Sequence, residues 1–483
     1  MLPTIATGNV ASAIGGGYEV ANSCRFNEAD APDLSRATGD TTGATQWTFS
    51  VWIKRSTLGS LQNGGTFFGW YTSTSKRSIL GFNDDDNLYW WSDNGSGTQG
   101  DATTAAVFRD VSAWYHVVLK IDTPQASQSN RVKIYVNNVE QTLTFSGAHP
   151  AQDEANTGMY GKSIIGASYY NTATDRHFGG YLAEVCLIDD SALSPSSFGE
   201  FDTDGSPTIW KPIDVSGLTF GSDGAYLDFE DSGDLDDDES GNGNDYTATN
   251  LAATDQATDT PTNNFATINP LDSFYEASTF SEGNLKIVTE ASGYSYNTST
   301  IGLTAGKWYF EVFIVATPDA STKDSAIGIA GRMSEADLGW LGLYSDSYAI
   351  YGGNGQIYTD ASTASYGVTH TTNDIIGVYV DLDNNKLYFA KNGVIMNSGT
   401  GKAIVAASAT KAGAYFPVAA DYHNGNTGTF SVNFGNPIWS LSSAVADANG
   451  YGSFEYDPST GTFDGSSKDF LAICTKNLGS DGG

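Results

Sequence analysis

The sequence predicts an all-β protein made of two antiparallel β-sandwich domains joined by an acidic connector rich in Pro and Asn. Three observations support this fold class. Gly is abundant, at 55 residues, and is accompanied by many Ser, Thr, Asn and Asp, which is typical of short strands joined by polar turns. Several short segments alternate apolar and polar residues with a period of two. Hydrophobic residues make up 40% of the chain and charged residues 16%, a balance that favours a folded protein over a disordered one.

The length and the changes in composition along the chain predict its domain organisation. At 483 residues the chain has room for about three domains. The strand patterns occur in two blocks, and Pro-rich and acidic sequence separates them. We therefore divide the chain into an amino-terminal tail (1–17), a first sandwich (18–202), an acidic connector (203–290), a second sandwich (291–436) and a carboxy-terminal extension (437–483).

The net charge excludes several classes of partner. With 56 acidic and 23 basic residues the formal charge is −33, which repels the phosphates of nucleic acids and anionic lipid surfaces. No apolar run approaches the ~18 residues of a membrane-spanning helix. We therefore expect neither a nucleic-acid partner nor insertion into a membrane.

The cysteines and the first residues predict synthesis in a cytoplasm. Residues 1–17 lack the basic and apolar regions of a secretion signal. The three cysteines are odd in number and widely spaced, so they predict no disulfide framework. They are best interpreted as buried free thiols, which suit a reducing compartment: Cys24, Cys186 and Cys474.

The first sandwich is predicted from strands of core length. Residues 48–54 alternate strictly and predict a half-buried strand whose apolar face holds Phe49, Val51 and Ile53. Asn137 and Asn138 predict a tight turn between two strands. Further strands are predicted at residues 114–120, 131–136 and 181–188.

The connector contains a dense run of side-chain oxygens. Asp236, Asp238 and Ser240, followed by Gly241, match positions one, three, five and six of the helix-flanked calcium loop. The match ends at the twelfth position, where Thr247 replaces the bidentate Glu, and no flanking helices are predicted. Two interpretations stay open: a calcium site formed by Asp236, Asp238 and Ser240, or a solvated acidic turn. No other cofactor is expected.

The second sandwich contains the strongest hairpin signal in the chain. Residues 374–393 read as a strand, an Asp/Asn turn, a strand and an Asn-Gly turn. Alternation predicts one buried face formed by Ile376, Val378, Val380, Leu387 and Phe389. The extension that follows has aromatic residues at irregular spacing, and we expect it to fold back on this sandwich.

Five aromatic residues of the second sandwich are candidate ligand-binding residues. They lie in Gly-rich, loop-like surroundings with Asn and Asp neighbours, and exposed rings with polar neighbours are what a sugar-stacking or protein-docking surface requires. The competing interpretation is that each ring packs in the core or anchors a loop. The candidates are Trp340, Tyr344, Tyr348, Tyr351 and Tyr422.

Four segments of the first sandwich carry a family resemblance: W-T-F-S-V-W-I-K-R, W-Y-H-V-V-L, V-K-I-Y-V-N-N-V and G-G-Y-L-A-E-V. In this order they resemble the concanavalin A-like, laminin G-type jelly roll. That superfamily includes lectins, adhesion modules and glycoside hydrolases, so the resemblance implies a fold and not a reaction. Laminarinase-like hydrolases carry an E-x-D-x-x-E strand. The nearest string here, residues 28–33, lacks the final Glu and contains Pro32.

The second sandwich resembles a SPRY domain. The resemblance is carried by the 374–393 hairpin together with the strands at residues 306–314, 326–330, 416–419 and 432–435. SPRY domains are interaction modules on a β-sandwich, without catalytic machinery. The resemblance therefore implies binding through loops at one end of the sandwich.

Three further segments, residues 238–250, 260–271 and 470–478, resemble parts of virion proteins of marine tailed phages. This resemblance implies a virion protein made in the host cytoplasm, with other virion proteins as partners. By likeness to phage fibres it also implies a homo-oligomer, and specifically a trimer.

The sequence predicts no enzyme. Its five histidines lack the spacing of a zinc site, and no nucleophile elbow, phosphate loop or dinucleotide fingerprint is present. A Ser-His-Asp triad leaves no local trace in a sequence, and His116, within a predicted strand, is best interpreted as a structural imidazole.

These observations leave three hypotheses for function. The leading hypothesis is a tail or capsid fibre of a tailed phage whose lectin-like domains attach to glycans or proteins of the host surface. The alternative is a purely structural decoration or linker protein of the capsid. The third is a polysaccharide depolymerase.

Overall fold

A computed structural model describes residues 17–481 apart from 39–42, 60–64, 148, 156, 171–172, 203–207, 273–277, 334–338 and 423–424. These residues form two compact units, residues 17–262 and residues 263–481. All of the predicted tail except residue 17 lies outside the described residues.

The amino-terminal unit is built from β-strands and short 3₁₀ turns. The turns are Glu28–Asp30, Gln128–Asn130, Pro195–Ser197 and Ala253–Asp255. The strands are β1 (Ser23–Phe26), β2 (Asp33–Ala37), β3 (Gln46–Arg55), β4 (Thr66–Ser73), β5 (Lys76–Phe82), β6 (Asn87–Asn94), β7 (Thr98–Val107), β8 (Trp114–Asp122), β9 (Val132–Val136), β10 (Val139–Glu140), β11 (Leu143–Phe145), β12 (Lys162–Ile165), β13 (Ser168–Tyr170), β14 (Ala173–Asp175), β15 (Gly180–Asp189), β16 (Gly199–Asp202), β17 (Ile209–Pro212), β18 (Ala225–Leu227), β19 (Thr247–Thr249) and β20 (Gln256–Ala257).

Two antiparallel sheets form the sandwich of this unit. Sheet A has the order β10-β9-β8-β3-β15-β1-β20, with β18 also pairing β15, and sheet B has the order β11-β7-β6-β5-β4-β12-β2-β19. The core between them contains Phe49, Val51 and Ile53, as the alternation of β3 predicts. The opposite face of β3 is also buried, because Trp52 packs in a separate cluster with Trp114 and Trp210, and Ser50 is hydrogen-bonded to the buried ring of His116. The half-buried strand expected from the sequence is therefore buried on both faces.

The carboxy-terminal unit follows the same principle. Its strands are β21 (Thr279–Ser281), β22 (Lys286–Val288), β23 (Tyr294–Thr298), β24 (Lys307–Ala316), β25 (Ser325–Ala330), β26 (Ser347–Tyr351), β27 (Gln356–Thr359), β28 (Ser362–Ser365), β29 (Ile375–Asp381), β30 (Lys386–Lys391), β31 (Val394–Ile395), β32 (Lys402–Ala403), β33 (Phe416–Tyr422), β34 (Thr429–Asn433), β35 (Thr462–Phe463), β36 (Ser466–Ser467) and β37 (Leu471–Ala472). A helix, α1 (Thr475–Asp481), follows, and the 3₁₀ turns are Pro270–Asp272, Asn397–Gly399 and Ala407–Ala409.

Sheets C and D face each other in this unit. Sheet C has the order β21-β22-β34-β24-β29-β30-β31, with β32 pairing β30 and β37 pairing β24, and sheet D has the order β23-β33-β25-β26-β27-β28. The predicted hairpin is confirmed: Val378 pairs with Phe389, and Asn385 adopts a left-handed conformation in the turn. All five residues predicted for its buried face lie in the core between the sheets.

The connector is not a separate element, which differs from the predicted domain organisation. Residues 208–262 belong to the amino-terminal unit, where β18, β19 and β20 add to its sheets and Leu235 and Tyr246 enter its core. Residues 263–272 and 278–290 belong to the other unit, where β21 and β22 extend sheet C. The connector lacks periodicity because isolated apolar residues, rather than a continuous face, are buried along it.

The carboxy-terminal extension folds back on the second sandwich, as predicted. Strand β37 pairs in parallel with β24, placing Leu471 opposite Trp308. A separate apolar cluster on the outer face of sheet C joins Tyr309 and Tyr379 to Phe454 and Phe470. The extension thus forms a third layer over this sheet.

The predicted all-β fold class is confirmed by the strands of both units. Helix α1 is the α-helix found in the part of the chain that is described, and the sequence did not predict it. Among these residues no helix has the length and apolarity to span a membrane.

Candidate functional site

The predicted calcium residues lie in an acidic turn of the amino-terminal unit. Both carboxylate oxygens of Asp238 accept hydrogen bonds: Oδ1 from the backbone N–H of Tyr226 at 2.9 Å and of Ser240 at 3.0 Å, and Oδ2 from the Ser240 hydroxyl at 2.7 Å and the Asn244 N–H at 2.8 Å. Asp236 Oδ2 accepts one from the backbone of Ala248 at 2.7 Å. Donors of the protein itself thus surround these carboxylates.

The described residues offer no group of three or more His, Cys, Asp or Glu arranged to hold a metal ion. The hydrogen bonds of Asp238 account for the sharp turn without a cation. Calcium binding at Asp236, Asp238 and Ser240 stays a prediction.

His116 has the structural role that the sequence predicts. Its ring is buried, and the Trp210 indole N–H donates to its Nδ1 at 2.9 Å. Because an indole N–H can only donate, Nδ1 is the acceptor, so Nε2 carries the proton and donates to Ser50 Oγ at 2.8 Å. Burial lowers the pKa of His116 to about 3, so the ring stays neutral. A general base would accept a proton from the serine hydroxyl, and the polarity of this Ser-His pair is the reverse.

An aromatic pocket lies on the outer face of sheet D in the carboxy-terminal unit. Strand alternation sends Ile327 and Ile350 into the core between the sheets, whereas Ala326, Ala349 and Ala420 face outward. In the strand register Ala326 pairs with Ala420 on one side and with Tyr351 on the other. Three adjacent strands therefore present methyl groups at neighbouring positions, and these form a low floor.

Aromatic rings form the walls around this floor. On one side Tyr294 stacks on Tyr422, with ring centroids 4.1 Å apart and planes at 25°. On the other side Tyr358 lies between Tyr351, at 5.3 Å, and Trp340, at 5.7 Å. The enclosed cavity has a volume of about 230 Å³. The cavity is deep because the alanine side chains of its floor are much smaller than the aromatic side chains of its walls.

Polar partners hold the rings in place. The Tyr351 hydroxyl donates to the Asp324 carboxylate, and Asn354 Nδ2 donates to the Tyr358 hydroxyl at 3.0 Å. Behind the floor the Asp421 carboxylate accepts from the hydroxyls of Thr289, at 2.6 Å, and Ser295, at 2.5 Å. Burial raises the pKa of Asp421, and these hydroxyls occupy both of its oxygens. The pocket therefore presents aromatic faces with hydroxyl groups, and both oxygens of Asp421 already accept hydrogen bonds behind its floor.

The structure brings together three of the five predicted ligand-binding residues, Trp340, Tyr351 and Tyr422. Tyr348 instead packs in the core, and its hydroxyl donates to the Ser345 carbonyl at 2.8 Å. Tyr344 lies under the Arg332 guanidinium, 3.7 Å from the ring centroid. These two rings follow the packing interpretation that the sequence left open.

Two aromatic residues of the pocket were missed by the sequence analysis, Tyr294 and Tyr358. Both lie in short strands, in which successive residues face opposite sides of the sheet. Tyr294 is followed by Ser-Tyr-Asn and Tyr358 is preceded by Gln-Ile, and this alternation could have revealed them. Most of the pocket lies on a sheet face, and Trp340 reaches it from the loop between β25 and β26; binding through loops at one end of the sandwich stays a prediction.

Comparison with known protein families matches both sandwiches. Residues 28–197 match the concanavalin A-like lectin/glucanases superfamily, and residues 307–436 match the SPRY domain. The chain therefore contains a concanavalin A-like domain and a SPRY domain. The aromatic pocket lies in the SPRY domain, with Tyr294 contributed from just before the matched range.

Similar curated proteins match only part of the chain. Ran-binding protein 10 of Danio rerio is 31% identical over 122 residues, which cover 23% of this chain and 20% of that protein. Ran-binding protein 9 of Homo sapiens is 35% identical over 98 residues, which cover 20% of this chain and 13% of that protein. The chain spans about a fifth or less of the length of these curated relatives.

Solved structures similar to the chain include a SPRY domain and a putative carbohydrate binding protein. The SPRY domain of human HERC1 is 18% identical with a TM-score of 0.27, covering 34% of this chain and 96% of that one. A putative carbohydrate binding protein from Bacteroides ovatus is 18% identical with a TM-score of 0.30, covering 48% of this chain and 59% of that one.

Proposed function

We propose that this protein is a non-catalytic binding protein and that the aromatic pocket of its SPRY domain holds a ring or side chain of the ligand. The observation that carries this proposal is the enclosure of an alanine floor by Tyr294, Tyr422, Tyr351, Tyr358 and Trp340. Aromatic side chains give large contact area at a low entropic cost, and fixed rings lose little freedom on binding. The two domain types are consistent with a binding role.

The pocket favours a ligand with a flat apolar face. Its volume of about 230 Å³ is below the range of about 300–1,000 Å³ that drug-sized ligands occupy, so it suits one sugar ring or one side chain. The stacked pair of Tyr294 and Tyr422 offers a planar wall, and the hydroxyl groups of the rings lie at the edges. A pyranose in a host-surface glycan has this combination of an apolar face and polar edges, and so does an apolar side chain of a peptide between two amide groups.

Filling the pocket tests the proposal. Ala326→Phe places a ring on the floor, and we expect it to reduce binding of the full chain to host-surface glycans or proteins about tenfold or more. Ala364→Phe, at an exposed position of β28, is the matched control and should bind as the wild type does. A glycan array and a host-surface protein blot separate the two ligand classes. Undiminished binding by Ala326→Phe to every ligand of the wild type would refute the pocket's role.

We propose further that the chain belongs to the particle of a tailed phage, as a tail or capsid fibre that attaches to the host surface. The support is the resemblance of residues 238–250, 260–271 and 470–478 to segments of such virion proteins. A homo-oligomer, with a trimer expected, would multiply weak single-site affinities, because avidity gains of about 10²–10⁴ arise when spacing allows several sites to bind.

Two measurements test this placement. Mass spectrometry of purified particles should find the chain, and its absence would refute a virion role. Analytical ultracentrifugation of the full chain should give the mass of three copies of 51.1 kDa. A purely structural decoration protein would be present in the particle but would bind no host ligand on the array.

A further inference from the structure

Lys54 and Asp259 form a fully buried ion pair in the amino-terminal unit. Lys54 Nζ lies 2.6 Å from Asp259 Oδ2, and the two side chains are 1% and 0% exposed. In the other lysine–carboxylate pairs found among the described residues, the lysine side chains are 15–34% exposed and the carboxylate side chains 12–58%. Lys54 and Asp259 differ from all of these pairs in being held in contact away from water.

Aromatic rings on the neighbouring strands enclose this ion pair. In the register of sheet A, Lys54 on β3 lies opposite Trp114 on β8 and opposite Tyr181 on β15. Both rings are buried and belong to one apolar cluster with Trp52 and Trp210. Lys54 Nζ lies 5.9 Å from the centroid of the Tyr181 ring. The amine is therefore in apolar surroundings, where a charged group is costly.

Hydrogen bonds fix the orientation of Asp259. The Trp114 indole N–H donates to Oδ1 at 2.9 Å, and the Ser23 hydroxyl donates to the backbone carbonyl of Asp259 at 2.6 Å. The two carboxylate oxygens thus have different partners, because Oδ2 faces the amine and Oδ1 faces the indole. Transfer of an acyl group to an amine needs this arrangement: a nucleophile next to the carboxyl carbon, and an N–H donor on the oxygen that gains negative charge.

We propose that Lys54 and Asp259 join in an intramolecular isopeptide bond. Across the 2.6 Å contact the ammonium group gives one proton to Oδ2, which leaves a neutral amine and a neutral carboxylic acid, the forms that apolar surroundings favour. The lone pair of Nζ then attacks Cγ, so that a C–N bond forms and the Cγ–Oδ2 bond breaks. Oδ2 leaves as water, with its second proton taken from Nζ. The Trp114 indole N–H stabilises the negative charge that develops on Oδ1.

The bond would connect two distant parts of the unit. Lys54 lies on β3, in the middle of sheet A, and Asp259 follows β20, at a separation of 205 residues along the chain. A covalent link over this separation removes much of the conformational freedom of the unfolded chain. Tension between the two ends of the unit would pass through the link, so residues 55–258 would not bear it. The bond depends neither on the proposed ligand nor on the proposed virion.

Mass spectrometry of the denatured full chain tests the proposal. We expect the wild type to be lighter than its sequence by the mass of one water. Lys54→Arg keeps the cation but has no amine to form the bond, so this variant should have the full mass of its sequence. Lys391→Arg is the matched control, because Lys391 pairs with Asp374 at 2.9 Å in a partly exposed position. This control should lose one water as the wild type does.

A tryptic digest of the wild type locates the bond. Cyclisation of an Asp side chain onto the backbone also releases one water, but it joins no two peptides. We expect the peptides that contain Lys54 and Asp259 to stay joined in the digest. The proposal is overturned if the wild type has the full mass of its sequence, if the two peptides separate, or if Lys54→Arg also lacks one water. The mass and the digest of the wild type decide the question even where a variant does not fold.

Discussion

Glu311 is a carboxylate held inside the carboxy-terminal unit by four hydrogen-bond donors. It is fully buried on β24, and its oxygens accept bonds from the Tyr309 hydroxyl at 3.0 Å, from Asn433 Nδ2 at 3.0 Å and from the backbone N–H groups of Glu455 and Tyr456 at 3.1 and 2.9 Å. The two backbone donors belong to the extension that covers sheet C. Glu311 therefore links this extension to the sandwich.

The charge of Glu311 makes the stability of this unit depend on pH. Burial raises its pKa from 4.5 to about 7, and the four donors oppose that rise without cancelling it. The folded protein thus binds the proton more tightly than the unfolded chain does. The resulting stabilisation is fully present below pH 4.5 and is lost as the pH rises through 7. With these two pKa values the loss between pH 5 and pH 8 is about 2.5 kcal/mol.

Glu311→Gln removes this titration, so the comparison of the variant with the wild type isolates it. The full chain is unfolded with urea at pH 5, 6, 7 and 8, and tryptophan fluorescence follows the transition. We expect the free energy of unfolding of the wild type, relative to that of Glu311→Gln, to fall by about 2.5 kcal/mol from pH 5 to pH 8. Glu184 of the other unit also has a pKa raised to about 7. Its contribution to the pH dependence of unfolding cancels in this difference, because both proteins contain it.

Glu290→Gln is the control for this experiment. Glu290 is exposed, so this substitution should follow the wild type at every pH. If the difference between the wild type and Glu311→Gln were constant from pH 5 to pH 8, Glu311 would not take up a proton on folding. The reasoning from its burial would then be wrong.

Three further predictions concern the stability of single sites. Gly435→Ala should destabilise the carboxy-terminal unit by about 2–5 kcal/mol in urea unfolding, because φ is left-handed at 120° and the new Cβ would lie 2.5 Å from a ring carbon of Phe265. The control Gly413→Ala also has a left-handed φ, of 72°, but its Cβ would meet open space, so it should cost about 1–2 kcal/mol. Equal losses of stability in the two variants would contradict the steric argument. Lys54→Met should cost about 3–5 kcal/mol, since it leaves the buried Asp259 carboxylate without its cation at 2.6 Å, and a smaller loss in the melting curve would mean that water reaches Asp259. His116→Phe should cost about 1–3 kcal/mol at pH 9 by orphaning the Trp210 indole N–H, and about 2 kcal/mol less at pH 5, because at pH 5 the unfolded wild type binds a proton on His116 that the folded protein does not. A cost that is equal at the two pH values would contradict the lowered pKa of the buried imidazole.

The sequence predicts the strands far better than the layers that cover them. Period-two alternation located β3, β29 and β30, because each has a continuous apolar face against a core. The burial of their opposite faces was not predicted. That burial depends on distant segments, such as the ring of Phe470 against Tyr379 with centroids 5.1 Å apart, and irregularly spaced residues leave no periodic signal. For the same reason the connector looked like a linker although each half of it completes one of the two units.

The aromatic pocket shows why a candidate site was only partly predicted. Aromatic residues in Gly-rich sequence pointed to Trp340, Tyr351 and Tyr422, but the same criterion selected Tyr348, which packs in the core. Strand parity separates these cases, because Tyr348 and Tyr351 lie three positions apart on β26 and so face opposite sides of sheet D. The sequence signal that defines the site is therefore not the aromatic ring itself but the small residue opposite it. Ala326 pairs with Tyr351, and Ala349 pairs with Tyr358. Each of these tyrosine rings therefore has open space next to it, above an alanine, which a larger side chain at the alanine position would fill.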